Sequence, residues 1–122
     1  FGTVDAVLAI SGEWLGAYLG RVTILDRGMV HEFTRRQKLE RSSSWALGWD
    51  TPSVPSSAGC HFAAQSFGHL GYTGTSLWID PVRELEVVLL SNRVHPSNKN
   101  EAIREFRPAI HDLVYQEFIG SI

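Results

Sequence analysis

The chain has 122 residues, enough for one domain with a buried core and too few for two. With 43% apolar, 11% aromatic and 20% charged residues it has an ordinary globular composition, and a formal net charge of -2 leaves no basic field for nucleic acid. Cys60 is the single cysteine, so no internal disulfide can form; no Cys/His group has zinc spacing, so neither a metal nor a cofactor is expected.

No apolar run reaches the roughly 18 residues of a membrane span, so a soluble chain is expected, with its compartment left open. The sequence opens on Phe1 rather than Met and enters a helical pattern at once, which reads as a start inside a longer gene product.

Thr3 can cap a first helix in which Val4, Val7, Leu8, Leu15 and Tyr18 recur at helical spacing and which Gly20 ends. Asp26 can cap a second, shorter helix with Met29, Val30 and Phe33 as its buried stripe, although Gly28 weakens it. The basic stretch Arg35 to Arg41 then reads as a solvated helix end. Residues 44–50, aromatic and bounded by polar residues, suggest a strand, and 51–66, with Pro52, Pro55 and Gly59, a loop. Three antiparallel strands are expected over 67–71, 75–79 and 85–91, with turns at Gly74 and at Asp80-Pro81. A terminal helix over 98–119 places Ile103, Phe106, Ile110, Leu113, Val114 and Phe118 on one face, and Pro108 requires a kink or a fresh start. His31, His61, His95 and His111 are read as surface or loop residues without a role.

The stretch from Phe67 to Pro81, with His69-Leu70-Gly71 followed by Tyr72-Thr73-Gly74, and the later Glu84 to Asn92 with its Ser91-Asn92 pair, resembles the third conserved box of serine β-lactamases, penicillin-binding proteins and related esterases. In that superfamily a Lys-Thr-Gly or His-Thr-Gly triplet lies on an inner strand before a Gly-rich turn and hairpin. The segments around Thr3, Asp26 and Trp45-Ala46-Leu47-Gly48-Trp49 are similar to those preceding the box in the esterase and D-alanyl peptidase branches, so the resemblance covers nearly the whole chain.

The resemblance implies that His69 sets the local field or proton network on one cleft wall, and that the Tyr72 backbone N–H is an oxyanion donor. It implies too that Gly71 keeps the strand open to substrate, with Leu70 and Thr73 beside it as substrate-binding positions. Leu70 replaces a Thr whose hydroxyl can bond a substrate carboxylate, which favours a neutral ester. No Ser-x-x-Lys occurs in the sequence, and no Tyr-x-Asn.

The expected fold is therefore α+β: a single unit over residues 1–122, an antiparallel sheet of three strands flanked by amino- and carboxy-terminal helices, as part of a longer β-lactamase-like domain. The superfamily architecture implies two further strands from an amino-terminal part, so the edge of the strand Leu85 to Ser91 is expected bare, to be paired by that missing half or by a second copy. Two functional readings follow: the carboxy-terminal piece of an acyl-transferring serine hydrolase, inactive alone, or a non-catalytic remnant serving as a binding or assembly module.

Overall fold

The structure, a computed structural model, describes residues 2–120. Helix α1 spans Val4–Tyr18, α2 Arg27–Thr34 and α3 Ile103–Ile119; strands β1 Phe67–Leu70, β2 Ser76–Asp80 and β3 Leu85–Leu89 form one antiparallel sheet in the order β1-β2-β3. Both short-range caps are as expected. Thr3 Oγ1 accepts the Ala6 N–H at 3.2 Å, and Asp26 Oδ1 accepts the Met29 N–H at 2.8 Å, each meeting a donor that its helix leaves unpaired.

Strand register decides what faces what, because side chains alternate between faces. Phe67 pairs with Ile79 and His69 with Leu77, so these residues share one face with Glu86 and Val88; Gly68, Leu70, Ser76, Trp78, Asp80 and Val87 share the other. On the first face Leu15 of α1 packs against Phe67 and Ile79, with Trp14, Tyr18 and Trp49 closing around them. On the second, Trp78 and Val87 pack against Tyr115 of α3 and against Ala58 and Phe62 from the loop before β1. The sheet is thus covered on both faces, each by a terminal helix.

Two side chains make the second face specific. A Cβ on Gly68 would strike the Trp78 indole and the Leu77 carbonyl oxygen, so only glycine lets the indole lie across β1. The fully buried Asp80 carboxylate accepts N–H groups from Val82 at 2.9 Å, Arg83 at 3.3 Å and Ala63 at 3.1 Å, joining the β2–β3 turn to the preceding loop.

Four sequence expectations need correction. Residues 44–50 form a tight reversal instead of a strand: Trp45 bridges Asp50, the Ala46 N–H bonds the Trp49 carbonyl at 2.8 Å, and Gly48 at φ +77° supplies a backbone turn that a strand cannot contain. In α2 the buried residues are Val30 and Thr34, while Met29 and Phe33 are exposed, although the Phe33 ring lies 6.5 Å from that of Trp14 in α1.

The third correction concerns α3, which begins at Ile103 and runs through Pro108 without a fresh start. Its buried stripe is Arg107, His111 and Tyr115, four residues apart, whereas Phe106, Leu113 and Phe118 lie in solvent. Arg107 and His111 meet backbone carbonyls of a turn and a loop there, while Tyr115 joins the apolar cluster of Trp78 and Phe62. His111 is accordingly fully buried, not a surface residue, which is the fourth correction.

Candidate active site

β1 is the strand on which the candidate residues lie, and its pleat separates them. The His69 side chain is exposed on the α1 face, edge-on to Trp45 with ring centroids 5.7 Å apart, and lines a cleft of about 250 Å³ with Val7, Gly71, Thr75, Leu77 and Val88. Leu70 points to the opposite face, into a cleft of about 220 Å³ walled by Ser56, Ser57, Arg104, Arg107 and Pro108. His69 and Gly71 are therefore brought together, while Leu70 is not beside them. Tyr72 and Thr73 sit exposed on the turn that follows.

The outer edge of β1 is covered only at its start. Gly68 exchanges both backbone bonds with Asp50, at 2.8 and 2.9 Å, and by the alternation of an antiparallel strand the Leu70 amide and carbonyl point to that same side. Beyond them the Tyr72 N–H donates to no acceptor among the described residues. A free backbone donor is what an oxyanion requires.

The turn that holds this amide is clamped by two guanidinium groups. Arg107 Nη2 donates to the Gly71 and Thr75 carbonyls at 2.6 and 2.7 Å. Burial, and secondarily the Arg93 charge, lower its pKa, yet a guanidinium stays charged. Arg93 donates from Nε to the Tyr72 carbonyl at 2.8 Å, lies 4.4 Å from the centroid of the Tyr72 ring, and donates its backbone N–H to Thr73 at 2.9 Å. Asn98 completes the grip through the Tyr72 hydroxyl at 2.9 Å.

Gly71 is constrained by the turn itself: its N–H bonds the Thr75 carbonyl at 2.8 Å, and a Cβ there would collide with Thr75 Oγ1. Neither Arg93 nor Arg107 was singled out from the sequence. For Arg107 the signal was present, since it lies four residues before His111 and eight before Tyr115, a helical row that hydrophobicity alone passes over.

His111 lies behind this wall. Its Nδ1 is 2.8 Å from the Ser57 carbonyl, which can only accept, so Nδ1 carries the proton and Nε2 accepts from the Ser76 hydroxyl at 3.3 Å. Burial pushes its pKa below the ordinary histidine value; the Ser57 bond opposes this, Arg107 adds to it, and Asp112 opposes it. The imidazole is neutral and structural.

A second cluster escaped the sequence reading, which expected no metal site. Cys60, His61 and Asp112 bring one ligand-type atom each to within 4.8 Å of one another. The hydrogen bond from the Cys60 thiol to Asp112 is the main cause of a raised thiol pKa, ahead of desolvation and the Asp112 charge.

An antiparallel sheet between an amino-terminal and a carboxy-terminal helix, with a His-x-Gly segment on its edge strand, defines the class: part of the α/β layer of the β-lactamase fold. The chain belongs to the Beta-lactamase family, whose family model matches residues 16–109. Proteins described as "Putative D-alanyl-D-alanine carboxypeptidase" from Salmonella typhi and Salmonella newport (strain SL254) are 34% identical to it over 91 residues, which is 72% of this chain and 21% of each of those proteins. The chain thus spans about one fifth of the length of these relatives. The crystal structure of a β-lactamase from Mycobacterium bovis superimposes with a TM-score of 0.77 at 23% identity, over 95% of this chain and 44% of that one, a likeness of fold. No helix among the described residues is long and apolar enough to cross a membrane.

Proposed function

We propose that the chain forms one wall of an acyl-transfer site in a β-lactamase-like serine hydrolase acting on esters, β-lactams or D-alanyl peptides, and that it is inactive without a nucleophile supplied from outside these 122 residues. The observation that carries this reading is the unengaged Tyr72 N–H on the turn after β1, in a turn held by Arg93 and Arg107, one residue past Gly71, which lines the His69 cleft. When an acyl carbonyl is attacked, negative charge gathers on its oxygen, and an amide already free and fixed meets that charge without reorganisation. His69, on the same cleft, sets the field and relays protons for the attacking group. Leu70 offers the substrate no hydrogen bond, which favours a neutral ester over a carboxylate-bearing substrate.

The missing parts are a Ser-x-x-Lys nucleophile and the strands that pair with β3, whose outer edge meets no strand among the described residues. A second reading, a non-catalytic binding or assembly module, is favoured by the same absence of a nucleophile box, with a second copy covering the β3 edge.

A chromogenic ester and a cephalosporin, together with a fluorophosphonate probe, separate these. The chain alone is expected to show neither turnover nor labelling, and a longer polypeptide carrying both this chain and a Ser-x-x-Lys segment is expected to show both. In that polypeptide His69→Ala lowers turnover by about 10²–10⁴-fold, the range of a proton-transfer group. Ester turnover by the chain alone that His69→Ala abolishes would sink the outside nucleophile. A longer polypeptide indifferent to His69→Ala would sink the catalytic wall.

A further inference from the structure

We propose that Cys60, His61 and Asp112 form a three-ligand site for a borderline divalent metal ion, Zn²⁺ by preference, with a fourth position open to water. The site is independent of the acyl-transfer reading, since it lies where the 51–66 loop meets α3.

The donor set itself points to this ion class. A sulfur, an imidazole nitrogen and a carboxylate oxygen suit Zn²⁺ and its first-row neighbours, whereas Mg²⁺ and Ca²⁺ take oxygen ligands. Two ligand atoms on a tetrahedral zinc lie about 3.3–3.8 Å apart, given bonds of about 2.0–2.3 Å. The three atoms here lie within 4.8 Å of one another, so a movement of about 1 Å brings them onto one ion.

The backbone is shaped to hold the carboxylate in place. Asp112 Oδ1 accepts the Cys60 N–H at 2.7 Å, which leaves Oδ2 3.4 Å from Cys60 Sγ. Gly59, at φ +84°, stands where any Cβ would collide with this carboxylate. His61 is held by the next turn of the same helix: its ring stacks on Tyr115 at 5.2 Å, and the Gln116 amide lies 3.3 Å from Nε2. Residues 112, 115 and 116 form one helical row, so α3 presents a single face to the Cys60-His61 pair. Cys60 is exposed, which gives the ion a path in and room for water. On binding, the metal–sulfur bond replaces the S–H bond, and the thiol proton passes to solvent.

Cobalt titration of the full chain tests the site. Co²⁺ is expected to saturate at one equivalent, with a thiolate-to-cobalt charge-transfer band and the intense visible bands of a tetrahedral site, and Zn²⁺ is expected to displace it. Cys60→Ser removes the charge-transfer band. Asp112→Asn keeps an oxygen for the Cys60 N–H but loses the anionic ligand, and is expected to weaken binding about tenfold or more, as is His61→Gln. At one fixed Zn²⁺ concentration the melting temperature of the parent rises more than that of Asp112→Asn, which keeps the test decisive if Cys60→Ser does not fold. Absence of the charge-transfer band, its persistence in Cys60→Ser, or an unchanged affinity in Asp112→Asn would each overturn the proposal.

Discussion

Replacing Gly68 by alanine tests whether the Trp78 indole fixes where β1 lies. The new Cβ would stand 2.5 Å from both Trp78 Cε3 and the Leu77 carbonyl oxygen, about 1 Å short of ordinary contact. Trp78 has no exposed surface, with Phe62 at 6.3 Å between ring centroids and Val87 and Tyr115 in the same cluster, so the indole cannot retreat. Leu77 is the backbone of the neighbouring strand and cannot yield without parting β1 from β2. Overpacking of this kind costs about 1–3 kcal/mol, and the involvement of backbone places the expected loss near the upper end. For a domain of this size that corresponds to a fall in melting temperature of roughly 8–12 °C.

Urea denaturation monitored by tryptophan fluorescence measures the loss. A cycle with Trp78→Leu then isolates its cause, since removing the indole should relieve the alanine and leave a coupling energy of about 1 kcal/mol or more. A Gly68→Ala protein within about 0.5 kcal/mol of the parent, or strictly additive effects in the cycle, would refute the close-approach argument.

Trp78→Ala alone empties the centre of the α3-side core and should cost about 3–5 kcal/mol in the same denaturation experiment. Asp80→Asn leaves one oxygen to serve the three N–H groups of Ala63, Val82 and Arg83 and turns an amide donor toward one of them. A loss of about 1–3 kcal/mol is expected, measured by thermal unfolding at neutral pH. His111 binds a proton less readily folded than unfolded, so between its depressed folded pKa and about pH 6.5 the unfolded state holds more protons and stability rises with pH. The parent should therefore lose up to about 1.4 kcal/mol per pH unit as pH falls below about 6.5, and His111→Gln should not. Parallel pH profiles of the two proteins in chelator-containing buffer would contradict the buried neutral imidazole.

Local chemistry was legible in the order of the residues. Thr3 and Asp26 cap helices because a cap needs only a side-chain oxygen and an amide three residues on, and both partners lie within one turn of sequence. The three strands were legible because turn residues punctuate them, and the family because the resemblance is carried by contiguous residues, His69-Leu70-Gly71-Tyr72 among them. What hydrophobic periodicity could not give was any contact made by polar groups. Arg107 and His111 are buried because carbonyls of Gly71, Thr75 and Ser57 meet them, and those carbonyls lie 32 to 54 residues away. In the same way the 44–50 segment has strand-like residues, yet Gly48 and the Ala46–Trp49 bond fold it back on itself.

The family and the three strands were thus decided by residues near one another in the chain. The free Tyr72 amide, the guanidinium clamp around it and the meeting of Cys60 and His61 with Asp112 were decided by packing. A hydrogen bond or a metal ligand set depends on distances of a few ångströms in space, and the chain order of residues so far apart does not specify them.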